Sequence, residues 1–424
     1  MYNVRGKFLM INKKISKLLG PAFGIMSFML AIGILEVPAL ADDNVQVTTS
    51  VSTSTSAAAT YKDYSININK SVTQNGLKIT LENVVATKHR LKAVVKVESN
   101  EPFDQNKSNN SIVQLLYGDN NNGGSTSQDY IDDKTMLITI EQDNDEEEFP
   151  IKGELRLDVV FPYYKVNLGI DANVNFSESF NYAFEKNLSV KIPEFNYTLN
   201  ELRSDILGTT LTYSGPYNEN DDRSMDSSFI LKVGDKIMYK LRSSGSSSDG
   251  EETKGTYESK AVIYDMLKDQ KDISIIPLEC NITWDELKEI HGNYTTLEYT
   301  NKETLNNVNY LKSFDFSDGS KGEIYNIERK DNTVKVYCRG NSEKASLLMA
   351  SSMNMYYQFK EEQINYVIYD SNKYMSFYKD PNDEFGYIAE FNNVDKDKVL
   401  ELYFDDIIKQ IDKYNIGSEI KISK

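Results

Sequence analysis

The chain has 424 residues, is 40% apolar and 11% aromatic, and carries a formal net charge of −17. That much apolar material excludes wholesale disorder, and the length calls for roughly two to four domains. An acidic chain with no basic face interleaved with aromatics repels phosphate backbones, so nucleic acid is not an expected partner.

At the N-terminus, Arg5, Lys7, Lys13, Lys14 and Lys17 precede an apolar run from Leu18 to Leu35, followed by Glu36, Pro38, Ala39 and Ala41. The first 41 residues balance at +4 against −17 for the whole, which leaves −21 on the remainder. A basic flank before the apolar run and an acidic body after it form the positive-inside arrangement and predict export. Two readings of this leader compete. Ala39 and Ala41 form an A-x-A cleavage site, with Pro38 breaking the helix just before it, as in a signal peptide. The run from Leu18 to Leu35 also exceeds the usual signal-peptide core of roughly 7–15 residues and approaches the length of a bilayer span. Residues 1–17 then form a short basic cytoplasmic segment, and 18–41 a transmembrane helix or signal sequence. Residues 42–60, which include the Ser/Thr/Ala run Thr48–Thr60, read as a flexible tether.

The body reads as strands. Ile66 and Ile68 alternate with Asn, and Asn75-Gly76 is a pair suited to a tight hairpin. Leu77, Ile79 and Leu81 share a face, the polar turn Thr87-Lys88-His89-Arg90 follows, and Leu91, Ala93, Val95 and Val97 alternate again. Leu155, Leu157, Val159 and Phe161 do the same, which predicts half-buried antiparallel sheets. Gln105–Asn110 and Asp119–Asp129 read as polar loops around one more strand, Ile112–Tyr117. A second block, from about Leu188, has Phe229–Val233, the turn Gly234-Asp235 and Ile237–Leu241, then a Ser243–Gly250 loop, Ala261–Leu267 and Ile273–Trp284. A third, from about Tyr310, has Gly322–Glu328, a Lys330-Asp331-Asn332 turn and Thr333–Cys338. Gln363–Tyr369, Tyr374–Tyr378, Gly386–Phe391, Val399–Phe404 and Glu419–Ile422 continue it. Within Asn341–Gln358, Ala345, Leu348, Met349, Ser352 and Met355 fall at helical spacing behind an Asn/Ser cap, with the methionines as core filling.

The segment Tyr64–Ser99 contains Asn69-Lys70, Asn75-Gly76 and the two strands that follow. Together with the leader end Ala39–Ala41, it resembles the opening of the domain-of-unknown-function family numbered four-one-seven-nine. Gly322–Cys338, with Glu328 to Asn332 in its turn, resembles the immunoglobulin-like domain that accompanies that family. The resemblance implies a single-span, anti-sigma-factor-like protein of Gram-positive bacteria, with its bulk outside the cytoplasm and a role in envelope signalling. Fuller members carry a cytoplasmic segment able to hold a sigma factor. Here 17 residues precede the apolar run, too few to fold, so sigma-factor sequestration is not expected. The family carries over no catalytic or binding residues.

Residues with chemistry are sparse. Cys280 shares an apolar face with Leu278, Ile282 and Trp284, and Cys338 shares one with Val334 and Val336. A disulfide between them would contribute about 2–4 kcal/mol. Two buried free thiols acting as small hydrophobes is the favoured reading. His89 lies in a charged turn and His291 in a short helical stretch, neither at metal-ligand spacing, so both read as surface histidines. No nucleophile elbow, phosphate loop or dinucleotide fingerprint occurs. With 64 Asp and Glu, spacing alone singles out no carboxylate pair. The acidic loops Asp119–Gly124, Asp143–Glu148 and Asp380–Gly386 suit Ca²⁺ chemically, but a frame begun at Asp119 puts Tyr130 where an EF-hand needs Glu. They read as solvated turns.

The sequence therefore predicts a mainly β protein of tandem immunoglobulin-like sandwiches at 61–187, 188–305 and 306–424. No catalytic, cofactor-binding or metal-ligating residue is assigned, and no enzyme activity. The expected function is non-catalytic envelope sensing or signalling by protein or ligand binding, with the membrane and an envelope protein as partners. A secreted or surface adhesive protein released after Ala41 is the first alternative. A carboxylate-dependent envelope hydrolase is the second.

Overall fold

The computed structural model of the chain describes residues 64–422, apart from 119–123, 145–146, 194, 218–226, 235, 293–301 and 359–368. The export segment and the Ser/Thr/Ala tether lie outside the described residues. Among these residues no helix is long and apolar enough to cross a membrane.

The fold is mainly β, in several largely antiparallel sheets. The first unit has eight strands: β1 (Ile66–Gln74), β2 (Leu77–Ala86), β3 (Arg90–Ser99), β4 (Ile112–Tyr117), β5 (Ser125–Tyr130), β6 (Thr135–Asp143), β7 (Lys152–Phe161) and β8 (Val166–Asn175). Asn75 and Gly76 take positive φ, 50° and 84°, and close the β1–β2 hairpin with Gln74 opposite Leu77. One sheet runs β1-β2-β3-β6-β5 and the other β4-β7-β8. Their inward residues, among them Ile79, Val95, Ile138, Leu157 and Phe161, form one apolar core. Polar contacts also tie β1 to the β8 side: Lys70 Nζ donates to the Asp171 carbonyl (2.9 Å) and Asn167 N to Gln74 Oε1 (2.8 Å).

The remaining strands are β9 (Phe184–Ile192), β10 (Tyr197–Asp205), β11 (Gly208–Pro216), β12 (Ser228–Val233), β13 (Ile237–Ser248), β14 (Glu252–Ser259), β15 (Ile273–Cys280), β16 (Lys302–Leu305), β17 (Val308–Leu311), β18 (Ser313–Asp315), β19 (Lys321–Lys330), β20 (Thr333–Gly340), β21 (Asn354–Tyr357), β22 (Met375–Lys379), β23 (Tyr387–Phe391), β24 (Leu400–Tyr403), β25 (Tyr414–Ile416) and β26 (Ile420–Lys421). The twelve-residue β13 is their hub. Its first half pairs with β12 and, at Met238, with β22; its second half pairs with β14. β12 is buried on both faces: Phe229 and Leu231 enter the second apolar core, while Ile230 enters the third. A strand covered on both sides needs a continuous apolar run, and Phe-Ile-Leu supplies it. The 188–305 and 306–424 stretches therefore share apolar packing through β12, β13 and β15.

Several segments differ from the sequence expectation. Ser125–Tyr130 and Ser243–Ser248 are strand, not loop. Pairing with β6 and β14 overrides their polar composition, and a bulge at Ser244 lets its hydroxyl meet that of Thr256 at 2.7 Å. Gln105–Ser108 forms one helical turn, as does Tyr264–Leu267 within the expected strand Ala261–Leu267. The strand from Ile273 stops at Cys280 because Thr283 and Glu286 form a capping box: Glu286 N donates to Thr283 Oγ1 (3.2 Å) and Thr283 N to Glu286 Oε2 (2.9 Å). They start the helix Trp284–Gly292, which includes His291. The helix expected over Asn341–Gln358 spans Glu343–Ser352, capped by the Ser342 side chain, and gives way to β21. Tyr374 ends a short helix before β22, and the expected strand Gln363–Tyr369 lies outside the described residues except for Tyr369.

Leu157 is fully buried between the two sheets of the first unit. Leu157→Ala is expected to destabilise that unit by about 2–5 kcal/mol, seen as a lower urea midpoint in the transition that exposes β7.

Candidate functional site

The sequence reads Thr87-Lys88-His89-Arg90, between β2 and β3, as a polar turn with His89 at the surface. The structure instead docks it against the second unit, leaving Thr87 1%, Arg90 7% and Asp205 8% exposed. Thr87 Oγ1 donates to Asp205 Oδ2 at 2.8 Å, and Arg90 Nε lies 3.4 Å from the same oxygen. Arg90 Nη2 donates to Thr210 Oγ1 (2.9 Å), and Leu207 N donates to Asp205 Oδ1 (2.7 Å). The guanidinium lies against backbone at Gly208, whose φ is 147°. A Cβ there would come 2.7 Å from the Ser259 carbonyl and 3.0 Å from Arg90 Nη1, so the joint requires glycine.

A second contact crosses the same boundary in the opposite sense. Glu141, on β6, faces Lys92 of β3 at 2.7 Å and also accepts a hydrogen bond from Lys260, just past β14. Burial pushes the Glu141 carboxyl up, but the charges and hydrogen bonds of Lys92 and Lys260 outweigh it and hold the group at about 2. Lys260 is pulled down by burial, yet its bond to Glu141 leaves it raised overall. Farther out, Lys88 sits 3.2 Å from Glu185 of β9.

Beside this joint lies a cavity of about 610 Å³ whose walls come from both units. That size falls within the range of small-molecule sites. Val85, Leu91, Ile206 and Ile263 supply apolar wall, and Lys92, Glu141, Lys260 and Lys373 supply charge. An adjoining groove of about 810 Å³ runs along the polar face of β10, β11 and β14, and Arg90 and Glu258 border both spaces.

Of the residues singled out from the sequence, His89 borders the groove and Asp143 borders both spaces, while the cysteines and Asp380 lie elsewhere. Cys280 and Cys338 form no disulfide, and both are buried in the third core. Burial pushes the Cys338 thiol up to about 12, which keeps it protonated and unreactive. His89 is half-buried; its Nδ1 donates to the Asn144 carbonyl (2.9 Å) while Asn144 N donates to the His89 carbonyl (2.8 Å). Two acidic loops are not simply solvated. Asp143 borders both spaces of the joint. Asp380, 7% exposed, accepts bonds from Tyr325 Oη (2.6 Å) and Asn382 N (2.8 Å), so its burial is compensated. In Asp119–Gly124, residues 119–123 lie outside the described residues. Among the described residues no three His, Cys, Asp or Glu are grouped to hold a metal ion. The joint itself carries no sequence signal: Thr87 and Asp205 are 118 positions apart, and Glu141 and Lys260 are 119 apart.

No family model matches the chain, and no curated protein matches it. A solved structure of a conserved domain protein from Bacillus anthracis is 15% identical with a TM-score of 0.40, covering 52% of this chain and 79% of that one. At that distance the likeness carries no functional argument.

Glu141 is lowered in the folded state, so its contribution is fully present above its ordinary value of 4.5 and is lost as pH falls toward 2. Over that window Glu141→Gln is expected to show a shallower fall of urea midpoint with acidification than the parent chain. Cys280 and Cys338 are expected to resist iodoacetamide at pH 8 until denaturant unfolds the third core, as read by mass spectrometry of the alkylated chain.

Proposed function

We propose that the chain is a non-catalytic extracytoplasmic binding protein, anchored through residues 18–41, that serves envelope sensing or signalling. Its ligand occupies the cavity between the first and second units. The observation that carries this reading is that one cavity is walled by both units and includes Glu141, which binds across their boundary. A ligand there changes the contacts that set how the two units sit together, and such differential binding is what shifts a conformational equilibrium. Glu141 itself, held at about 2, is a weak general base at neutral pH and fits an ion-pairing role at the boundary.

The finer fold assignment belongs to the same proposal. β2-β3-β6-β5 opposite β4-β7-β8 follows the A-B-E-D and C-F-G order of an immunoglobulin-like sandwich, with β1 as an added edge strand. The resemblance to family four-one-seven-nine, and with it an anti-sigma-like role, rests on Ala39–Ala41 and Tyr64–Ser99, and that to its immunoglobulin-like companion on Gly322–Cys338. From residue 188 onward the sheet branches at β13, which departs from a simple string of sandwiches. The A-x-A site at Ala39–Ala41 favours one second reading, a secreted or surface adhesive protein with the same body.

Expressed in a Gram-positive host with a C-terminal tag, the chain is expected in the membrane fraction with its tag open to external protease. A mature N-terminus at Asp42 in the medium selects the secreted form, and an intact chain in the cytosol sinks both. Total envelope extract is expected to slow hydrogen exchange in 85–92 and 258–263, and the cavity-filling Ile206→Trp is expected to abolish that protection. Unaltered exchange with every extract would remove the binding reading.

A further inference from the structure

Independently of the cavity reading, we propose that the adjoining groove is a carbohydrate site, taking a neutral β-linked glycan chain laid across β9, β10, β11 and β14. The groove holds about 810 Å³, within the size range of ligand sites, and its floor is the outward face of that sheet. Strand register arranges the floor. Asn187 of β9 stands opposite Glu201 of β10, Glu201 opposite Thr212 of β11, and Thr212 opposite Thr256 of β14. Thr256 in turn faces Gly245 of β13, where the row ends. Neighbouring strands lie about 4.8 Å apart, so a hydrogen-bonding side chain recurs at that interval. The interval is close to the advance per sugar ring along an extended β-1,4 glycan. The docked β2–β3 turn, with Lys88 and His89, forms one wall.

Charge narrows the ligand class. Among the described residues, each of the four Lys and Arg side chains bordering the groove is already held by a carboxylate. Lys88 is paired with Glu185 (3.2 Å), Arg90 with Asp205 (3.4 Å), Arg203 with Glu201 (2.6 Å) and Lys254 with Glu252 (3.3 Å). The remaining carboxylates, Asp143 and Glu258, lie at the joint end, bordering the cavity as well. There Asp143 is in register with Arg90, and Glu258 is within electrostatic reach of Lys260. An anionic polymer therefore finds no uncommitted cation along the row. An extended peptide finds no ladder to join, because β10, β11 and β14 are each paired on both sides. What the floor does offer is amide and hydroxyl groups that donate and accept, and carboxylate oxygens that accept, which complement sugar hydroxyls. Ala183 and Phe184 add apolar surface for the C–H faces of the rings. Gly245 keeps the end of the row open, since a Cβ there would meet nothing within 4 Å.

The test titrates the full chain in phosphatidylcholine nanodiscs by calorimetry. The probes are three neutral β-1,4 tetrasaccharides, built of glucose, mannose or N-acetylglucosamine, and β-1,4-tetramannuronate as an anionic chain of equal length. At least one neutral chain is expected to bind, about tenfold or more tighter than tetramannuronate. Gly245→Leu, which fills the open end of the row, is expected to weaken that binding by about tenfold or more with no loss of urea midpoint. Thr212→Val, which removes one hydroxyl at nearly constant shape, is expected to weaken it by about threefold. Ile206→Trp, which fills the separate cavity, is expected to leave it intact. Failure of all three neutral chains, equal affinity for tetramannuronate, or binding that survives both Gly245→Leu and Thr212→Val overturns the assignment. Sugar binding lost in Ile206→Trp places the glycan in the cavity instead and also overturns it.

Discussion

Two carboxylates, each taken largely out of water and each met by a cation from the opposite unit, fix how this protein is put together. Arg90 of the first unit meets Asp205 of the second, and Lys260 of the second meets Glu141 of the first. Each unit thus gives one cation and one anion to the boundary. Removing one member of a buried pair such as Arg90–Asp205 typically costs about 3–5 kcal/mol, because the other charge is left without its counterion. Neither unit can therefore shift without exposing or stranding a charge. The hydrogen bonds from Thr87 and Leu207 to Asp205 and from Arg90 to Thr210 narrow the geometry further, and Gly208 allows the guanidinium to reach the backbone.

The same reciprocity explains why a cavity persists beside the joint. Charged side chains hold the boundary together from its edges, so apolar groups such as Leu91 and Ile263 face a shared space rather than a fully packed interface. A joint made of ion pairs is also easier to rebalance than one made of interlocked apolar side chains. Beyond the second unit the constraint is different. β12 and β13 are sandwiched between two apolar cores, and their pairing with β14, β15 and β22 leaves little freedom between the second and third blocks.

Legibility followed the range of the interaction. The Asn75-Gly76 hairpin, the inward sets on β2, β3 and β7, and the capped helix at Ser342 rest on local chemistry, and the structure places them as the sequence implied. Thr283 and Glu286 show the limit even of local reading. Their capping box was present in the sequence, but the apolar run around it looked like strand. Ser243–Ser248 shows the opposite case, a polar run with weak strand preference that becomes strand because β14 offers a ladder to complete.

By itself the sequence determined that the body is β-rich, where its tight turns fall and which faces are apolar, because side-chain alternation and positive φ are properties of neighbouring residues. Only the tertiary structure decided that Thr87 and Arg90 leave the solvent, that Glu141 is shared between two units, and that a cavity lies beside them. Those facts depend on charges more than a hundred positions apart meeting where water is largely excluded. The pairing energy exists only once the fold has brought both partners there, and no spacing along the chain records it.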